Sequence, residues 1–239
     1  MAKIALRDIP RGNTCPGVNE LILEHILRSS KNAAGLRLLD IPCGKGEFLD
    51  TVAKVAPNFK TYGVDISVPS GKTVHEIISA DLSRPGMLDL SGQFDIVTCI
   101  SGVMEFDNTL SFFEGIRDLL THDGEFIVSN DNILSVPDRI SYFLFGRFRQ
   151  YRLRWEPGEP TWKVVTINNL HRILADAGFD VIEVRYVTPK AAEWLWFPIA
   201  AIIFAMQRLI ERNKATLQMV PFISLFSRHY VLFCQPRTD

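Results

Sequence analysis

The chain has 239 residues, 47% of them hydrophobic and 22% charged, with a formal net charge of -1 and a pI near 6.5. That length supplies the core of one ordinary globular domain with elaborations, and the near-neutral balance gives no electrostatic ground for a nucleic-acid partner. Cys15, Cys43, Cys99 and Cys234 lack the paired spacing of a zinc site or a disulfide framework, so no metal is expected and a reducing cytoplasm fits.

In chain order, the opening stretch MAKIALRDIPRGN is charged and lacks the apolar run of a signal peptide, so export is not expected. Residues 36–41 read as a short apolar strand. Residues 46–56 read as a helix with Phe48, Leu49, Val52 and Val55 on one face, and KTYGVDI as a second strand. VHEIISA is a third strand and FDIVTCI a fourth. A helix over about 109–120 then turns at HDG into a fifth strand, EFIVSN. Thr166 is a helix cap, Leu170, Ile173, Leu174 and Ala177 share a face, and Gly178 stops that helix. FDVIEVRYV and RHYVLFCQ are the last two strands. The alternation predicts an α/β fold: a Rossmann-like doubly wound sheet, mostly parallel with an antiparallel last strand, and helices on both faces. Residues 1–239 are expected to form a single domain, interrupted by insertions at about 131–165 and 188–227 where specificity would reside.

The most informative stretch is LLDIPCGKGEFLD, a strand that runs through glycines into a helix. In open doubly wound sheets the first strand-to-helix turn is the usual ligand cradle. A Walker loop fails here because Lys45 is followed by Gly46 and Glu47, and a dinucleotide loop fails because Leu49 stands where its third glycine belongs. Glu47 in the first helical turn would repel phosphates. A ligand with a nucleoside and an amino acid, but no phosphate, remains.

LLDIPCGKGEF, followed by YGVDIS, SADLS, FDIVTCISGVMEF and GEFIVSN, resembles the class I S-adenosylmethionine-dependent methyltransferases, in particular the ubiquinone-biosynthesis-like branch, over most of residues 15–187. The resemblance implies that Asp40, Pro42, Cys43, Gly44 and Gly46 run under the methionine part of S-adenosylmethionine. Pro42 replaces a common first glycine, a change compatible with a strand end. Asp65, followed by Ile66, would accept both ribose hydroxyls. Asp81 and Leu82 would meet the adenine, with a helix-capping role as the plain alternative for Asp81. Ser101 and Gly102 would pass beneath the sulfonium. Cys43 and Phe48 read equally as core residues.

Many relatives carry a histidine after the glutamate of the segment matching VMEF, whereas this chain has Phe106. No catalytic base is therefore assigned, and His25, His75, His122, His171 and His229 have no partner visible in the sequence. Glu105 reads as a pocket carboxylate or a helix cap, and Asn130 as an acceptor donor or a turn closure. In DRISYFLFGRFRQYRLRW, Arg139, Arg147, Arg149, Arg152 and Arg154 alternate with Tyr142, Phe143, Phe145, Phe148, Tyr151 and Trp155. They form either a lid over an anionic or amphipathic acceptor, with Tyr142 and Arg147 in contact with it, or a basic solvated face.

The apolar run WLWFPIAAIIFAM falls short of the roughly 20 residues that cross a bilayer and is followed by Arg208, Arg212 and Lys214. Residues 194–214 are expected to meet the core, a homodimer mate or, peripherally, a membrane. The acceptor is a small molecule or a lipid- or glycan-linked intermediate. The alternative is a non-catalytic cofactor-binding or regulatory protein that keeps the fold.

Overall fold

In the computed structural model of the protein, the described residues are 9, 14–29, 35–67, 75–82, 90, 93–149, 163–211 and 218–237. Tyr151, Arg152, Arg154 and Trp155 of the arginine-aromatic stretch lie outside them, as do Arg212 and Lys214. Strands β1 (Leu36–Asp40), β2 (Phe59–Asp65), β3 (Glu76–Ser79), β4 (Phe94–Ile100), β5 (Leu120–Asp131), β6 (Phe179–Tyr186) and β7 (His229–Pro236) form one sheet in the order β3-β2-β1-β4-β5-β7-β6. The pairs from β3 through β5 are parallel, and β7 runs antiparallel to both β5 and β6. This is the doubly wound, mostly parallel architecture that the alternation predicts.

The period-two geometry of a strand assigns neighbouring residues to opposite faces. Leu38, Ile127 and Val231 face one core, which also contains Ile22 and Ile26 of α1 (Val18–Ser29) and Leu49 and Val52 of α2 (Glu47–Val55). Leu39, Val128 and Leu232 face the other, with Phe113 and Ile116 of α3 (Thr109–Leu119) and Leu170 and Leu174 of α5 (Ile167–Asp176). Burial on both sides explains why the central strands read as unbroken apolar runs. Local signals set the helix ends: the Asn108 side chain accepts from the Ser111 N–H at the start of α3, and Thr166 accepts from Asn169 N–H at the start of α5. Gly178, at φ +86, lets the chain leave α5 in the left-handed conformation.

Two expectations change. The HDG turn does not separate α3 from the fifth strand, because β5 already begins at Leu120. A register jump from the Phe94–Leu120 pair to the Ile96–Glu125 pair absorbs residues 121–124 as an irregularity inside the strand. The apolar run after residue 194 is also not buried against the sheet: it belongs to α6 (Phe197–Ile210), of which only Ala200 is buried. With the 3-10 turn before it, the helical segment Ala191–Ile210 covers 20 residues, long and apolar enough to cross a membrane by length and composition.

The two insertions form one unit beside the sheet. Helix α4 (Val136–Phe145) arises in the first and α6 in the second. Val136, Ala200, Leu225 and Phe226 make their shared core, with Ile140, Trp196, Ile203, Phe204 and Phe222 packed around it. A polar knot around two buried carboxylates locks the unit. Glu193 accepts from Arg149 Nη1 at 3.2 Å and from Arg228 Nε at 3.0 Å, while Arg149 Nη2 also donates to Asp138 Oδ2 at 3.0 Å.

Candidate functional site

The ends of β1, β2 and β4 and the entry of α2 surround a cavity of about 430 Å³, lined among others by Asp40, Pro42, Cys43, Gly44, Phe48, Asp65, Ser101 and Glu105. The loop from β1 to α2 is fixed on both sides. Ile41 N–H donates to Thr98 O of β4, and Cys43 N–H to Val64 O of β2, both at 2.9 Å. Gly44 and Gly46 take φ values of +54 and +80, conformations that glycine adopts without steric cost. Pro42, preceded by a cis peptide bond, fills the space against Gly102 so closely that a Cβ on Gly102 would lie 2.5 Å from the proline ring. The proline in the glycine position is thus matched by a glycine on the neighbouring strand exit.

Two carboxylates define the electrostatics. Asp65 accepts from Gly44 N–H at 2.8 Å and, through its other oxygen, from Ser67 N–H at 3.1 Å, so it is tied to the glycine loop across 21 residues. Asp40 is almost fully enclosed and accepts from Thr98 Oγ1 at 2.7 Å. Its pKa is pushed up to about 7, chiefly by burial, against the Thr98 hydrogen bond and with help from the charge of Asp65. Burial, followed by the charges of Asp40 and Asp65, pushes the Cys43 thiol up to about 12, leaving it a neutral packing group.

Past β4, Ser101 is the one non-glycine residue with positive φ (+56) among the described residues. Its conformation is held from several sides. Ser101 N–H donates to Ser129 Oγ at 3.1 Å, while Ser101 Oγ lies 2.7 Å from Thr14 Oγ1 and 3.5 Å from His229 Nε2. His229 Nε2 sits 2.9 Å from Asp131 Oδ1, its register partner across β5 and β7. Burial opposes the charge on His229, but hydrogen bonds to Asp131 and Cys15 and their charges outweigh it and raise its pKa to about 9.

The remaining residues singled out in the sequence stand as follows. Gly46 packs near His75 and Ile77 at the start of α2. Ile66 is exposed beside Asp65, and Asp81 and Leu82 follow β3, which pairs with β2 so that Ser79 lies opposite Asp65. Glu105, exposed at the cavity, ends a 3-10 turn and does not cap α3, whose cap is Asn108. Asn130 is buried away from the cavity lining and donates to Val165 O and Tyr230 Oη. Tyr142 is exposed and stacks on Phe148 at 4.8 Å, and the Arg147 carbonyl accepts from Ser141 Oγ. Phe106, in the position where the resemblance leads to an expectation of histidine, is buried and packs on Phe112 at 4.1 Å.

Three histidines gain partners that the sequence conceals: His25 meets Glu125, His75 meets both Asp50 and Thr61, and His229 meets Asp131. Thr14, Asn19, Lys45, Glu47, Ser67 and Ile100 also line the cavity. Lys45, Glu47, Ser67 and Ile100 flank residues already singled out. Thr14 and Asn19 carried no signal of their own.

A family model described as "Methyltransferase domain" matches residues 17–184. A protein of Ruegeria sp. (strain TM1040) named ubiquinone biosynthesis O-methyltransferase is 26% identical over 180 residues, covering 71% of this chain and 70% of that protein. One of the same name from Azorhizobium caulinodans is 27% identical over 183 residues, covering 71% of this chain and 70% of that protein. Among solved structures, an S-adenosylmethionine-dependent methyltransferase from Clostridium acetobutylicum ATCC 824 superposes with a TM-score of 0.57 at 13% identity, over 99% of this chain and 96% of its own. Magnesium protoporphyrin IX methyltransferase from Synechocystis PCC 6803 superposes with a TM-score of 0.56 at 15% identity, over 92% of this chain and 82% of its own.

Proposed function

The chain belongs to the methyltransferase family whose model covers residues 17–184, and from that premise we propose that the cavity beside Gly44 and Asp65 binds S-adenosylmethionine and presents its methyl group to an acceptor entering from the side of the two insertions. It is an S-adenosylmethionine-dependent methyltransferase. The observation that carries the site assignment is the Asp65 carboxylate, bonded to the Gly44 amide at the cavity wall.

The residues fit the cofactor. The cavity volume lies within the range of small-ligand sites. Asp65 retains acceptor capacity for ribose hydroxyls, and Asp81 and Leu82 lie beyond the neighbouring strand for the adenine. Gly44 keeps a side chain out of the methionine end, where Asp40 supplies a carboxyl and Pro42, Cys43 and Phe48 supply walls. Ser101 and Gly102 border the reacting end. The cofactor supplies a methyl group already activated by a sulfonium, so that an acceptor atom gains the carbon as the sulfur–carbon bond breaks. The protein's share is then alignment and exclusion of water. An acceptor hydroxyl must also lose a proton. Ser101 and Thr14 offer hydroxyls at that end of the cavity and Glu105 a carboxylate, whereas the Phe106 position contributes only packing.

The name shared by the relatives supports an oxygen acceptor on a small or lipid-linked molecule. We take residues 1–239 as one domain, with Tyr142 and Arg147 on the acceptor side, no nucleic-acid partner, and a cytoplasmic location. Residues 194–214 give the chain a partner surface for a membrane or a second copy. The non-catalytic alternative has no observation in its favour.

Calorimetry with S-adenosylmethionine and with its demethylated product tests the reading. Saturable binding of both is expected, together with a rise in Tm by mass action. Absence of heat and of a thermal shift at millimolar concentration overturns it.

A further inference from the structure

The insertion unit turns a large apolar surface outward. On α6, Ile199, Ile202, Met206 and Leu209 follow one another at helical spacing and are 41%, 61%, 53% and 83% exposed. Leu195, just before the helix, is also exposed. No residue from Trp194 to Gln207 is charged. A contiguous apolar patch of this kind on a folded domain marks an interaction surface.

The end of α4 adds a second element. Tyr142, Phe143, Leu144 and Phe145 are all exposed, Phe143 most of all. Four consecutive residues exceed one 3.6-residue turn, so these side chains leave the helix in every direction. A protein partner with a defined face would cover the α6 stripe but only one side of that tip. A fluid apolar medium covers the whole turn.

The charges around the patch select which medium. Lys190 precedes the apolar stretch, Arg208 ends it and Arg147 follows the α4 tip, and all three are exposed. The nearest acid, Glu193, is turned inward and held by Arg149 and Arg228. Glu211 is the exposed acid at the end of α6, followed in the sequence by Arg212 and Lys214. A cationic rim around apolar residues complements anionic headgroups over acyl chains. Ala200, Ile203 and Phe204 fasten α6 to Val136, Phe222 and Phe226, so the helix lies along the domain instead of leaving it to span.

We propose that the α4 tip and the outer face of α6 together dock this chain on an anionic lipid surface. The proposal deepens the reading of residues 194–214 given above, and it places the acceptor-side insertions at the membrane where a lipid-linked acceptor would reside.

Flotation of the full chain with vesicles of phosphatidylcholine containing phosphatidylglycerol, compared with phosphatidylcholine alone, is the test. Binding to the anionic vesicles that falls severalfold between low and high salt is expected. The exposed substitutions Phe143→Ser with Leu209→Ser, and separately Lys190→Glu with Arg208→Glu, should each reduce the bound fraction at least fivefold while leaving the cofactor-induced thermal shift unchanged. That thermal shift separates failure of the docking surface from failure of the cofactor assignment. Absence of wild-type flotation overturns the proposal. So does a concentration-dependent dimer that ignores vesicles and is dissolved by the Phe143→Ser, Leu209→Ser pair, which would assign the surface to a second copy.

Discussion

Asp40 lies under the glycine loop with its carboxyl enclosed and its pKa raised to about 7 from an ordinary 3.8. A raised carboxyl holds its proton more tightly folded than unfolded, so its contribution to stability is complete below the unfolded value and is lost as pH rises from about 4 towards 7. A bound cation reverses that preference by favouring the ionised form. Affinity for the sulfonium cofactor should therefore rise with pH through about 7, with proton release on binding, which calorimetry in buffers of different ionisation heat will detect. Asp40→Asn should flatten the profile. Asp65→Ala should weaken cofactor binding by about 1–3 kcal/mol, the cost of two lost hydrogen bonds to a charged acceptor, while circular dichroism reports an unchanged fold. An unaltered Kd would remove Asp65 from the ribose. His229 carries the same sign in a higher pH window. Its raised pKa adds stability that is complete below its unfolded value of 6.5 and disappears as pH rises through about 9. The placing of Asp65 and the glycine loop at one cavity was legible because both follow strand ends of a short βαβ unit, whereas the hydrogen bond between Asp65 and Gly44 was not. The Asp131–His229–Ser101–Thr14 chain was not, because its members come together only when residues 14, 101, 131 and 229 meet across three strands.

At the scale of elements, the strands and α2, α3 and α5 follow from periodicity and caps, since each buries one stripe or both faces of a sheet. The insertions were harder. Their helices pack on each other and not on the sheet, so the sequence displays an apolar run without the polar face that would orient it. Glu193 is the hinge of that arrangement, since its carboxylate, in the second insertion, joins Arg149 of the first to Arg228 at the entry to β7. Glu193→Ala leaves two partly solvated cations facing a cavity, and we expect a loss of about 1–3 kcal/mol, less than for a fully enclosed pair because both arginines reach water. Urea denaturation with the Glu193→Gln variant as a control measures it. A second element-scale prediction concerns Gly102→Ala, whose new methyl would collide with Pro42 at 2.5 Å. Lower Tm and weaker cofactor binding should appear together, because the proline wall of the cavity must move.

For the whole molecule, the sheet order has a consequence for how the chain assembles. β7, the last strand, lies between β5 and β6, and its Val231 and Phe233 belong to the core that also buries Ile22 and Ile26 of α1. Until residues 229–236 have left the ribosome, β5 and β6 each present an unpaired edge and the first helix lacks part of its floor. Such edges invite pairing with other chains, and the long sequence separation of these contacts slows closure of the fold. A chain ended after Ser227 should therefore remain open along both strands, bind an aggregation-reporting dye and sediment with its own kind, and a separately supplied peptide covering His229–Pro236 should suppress that association by completing the ladder.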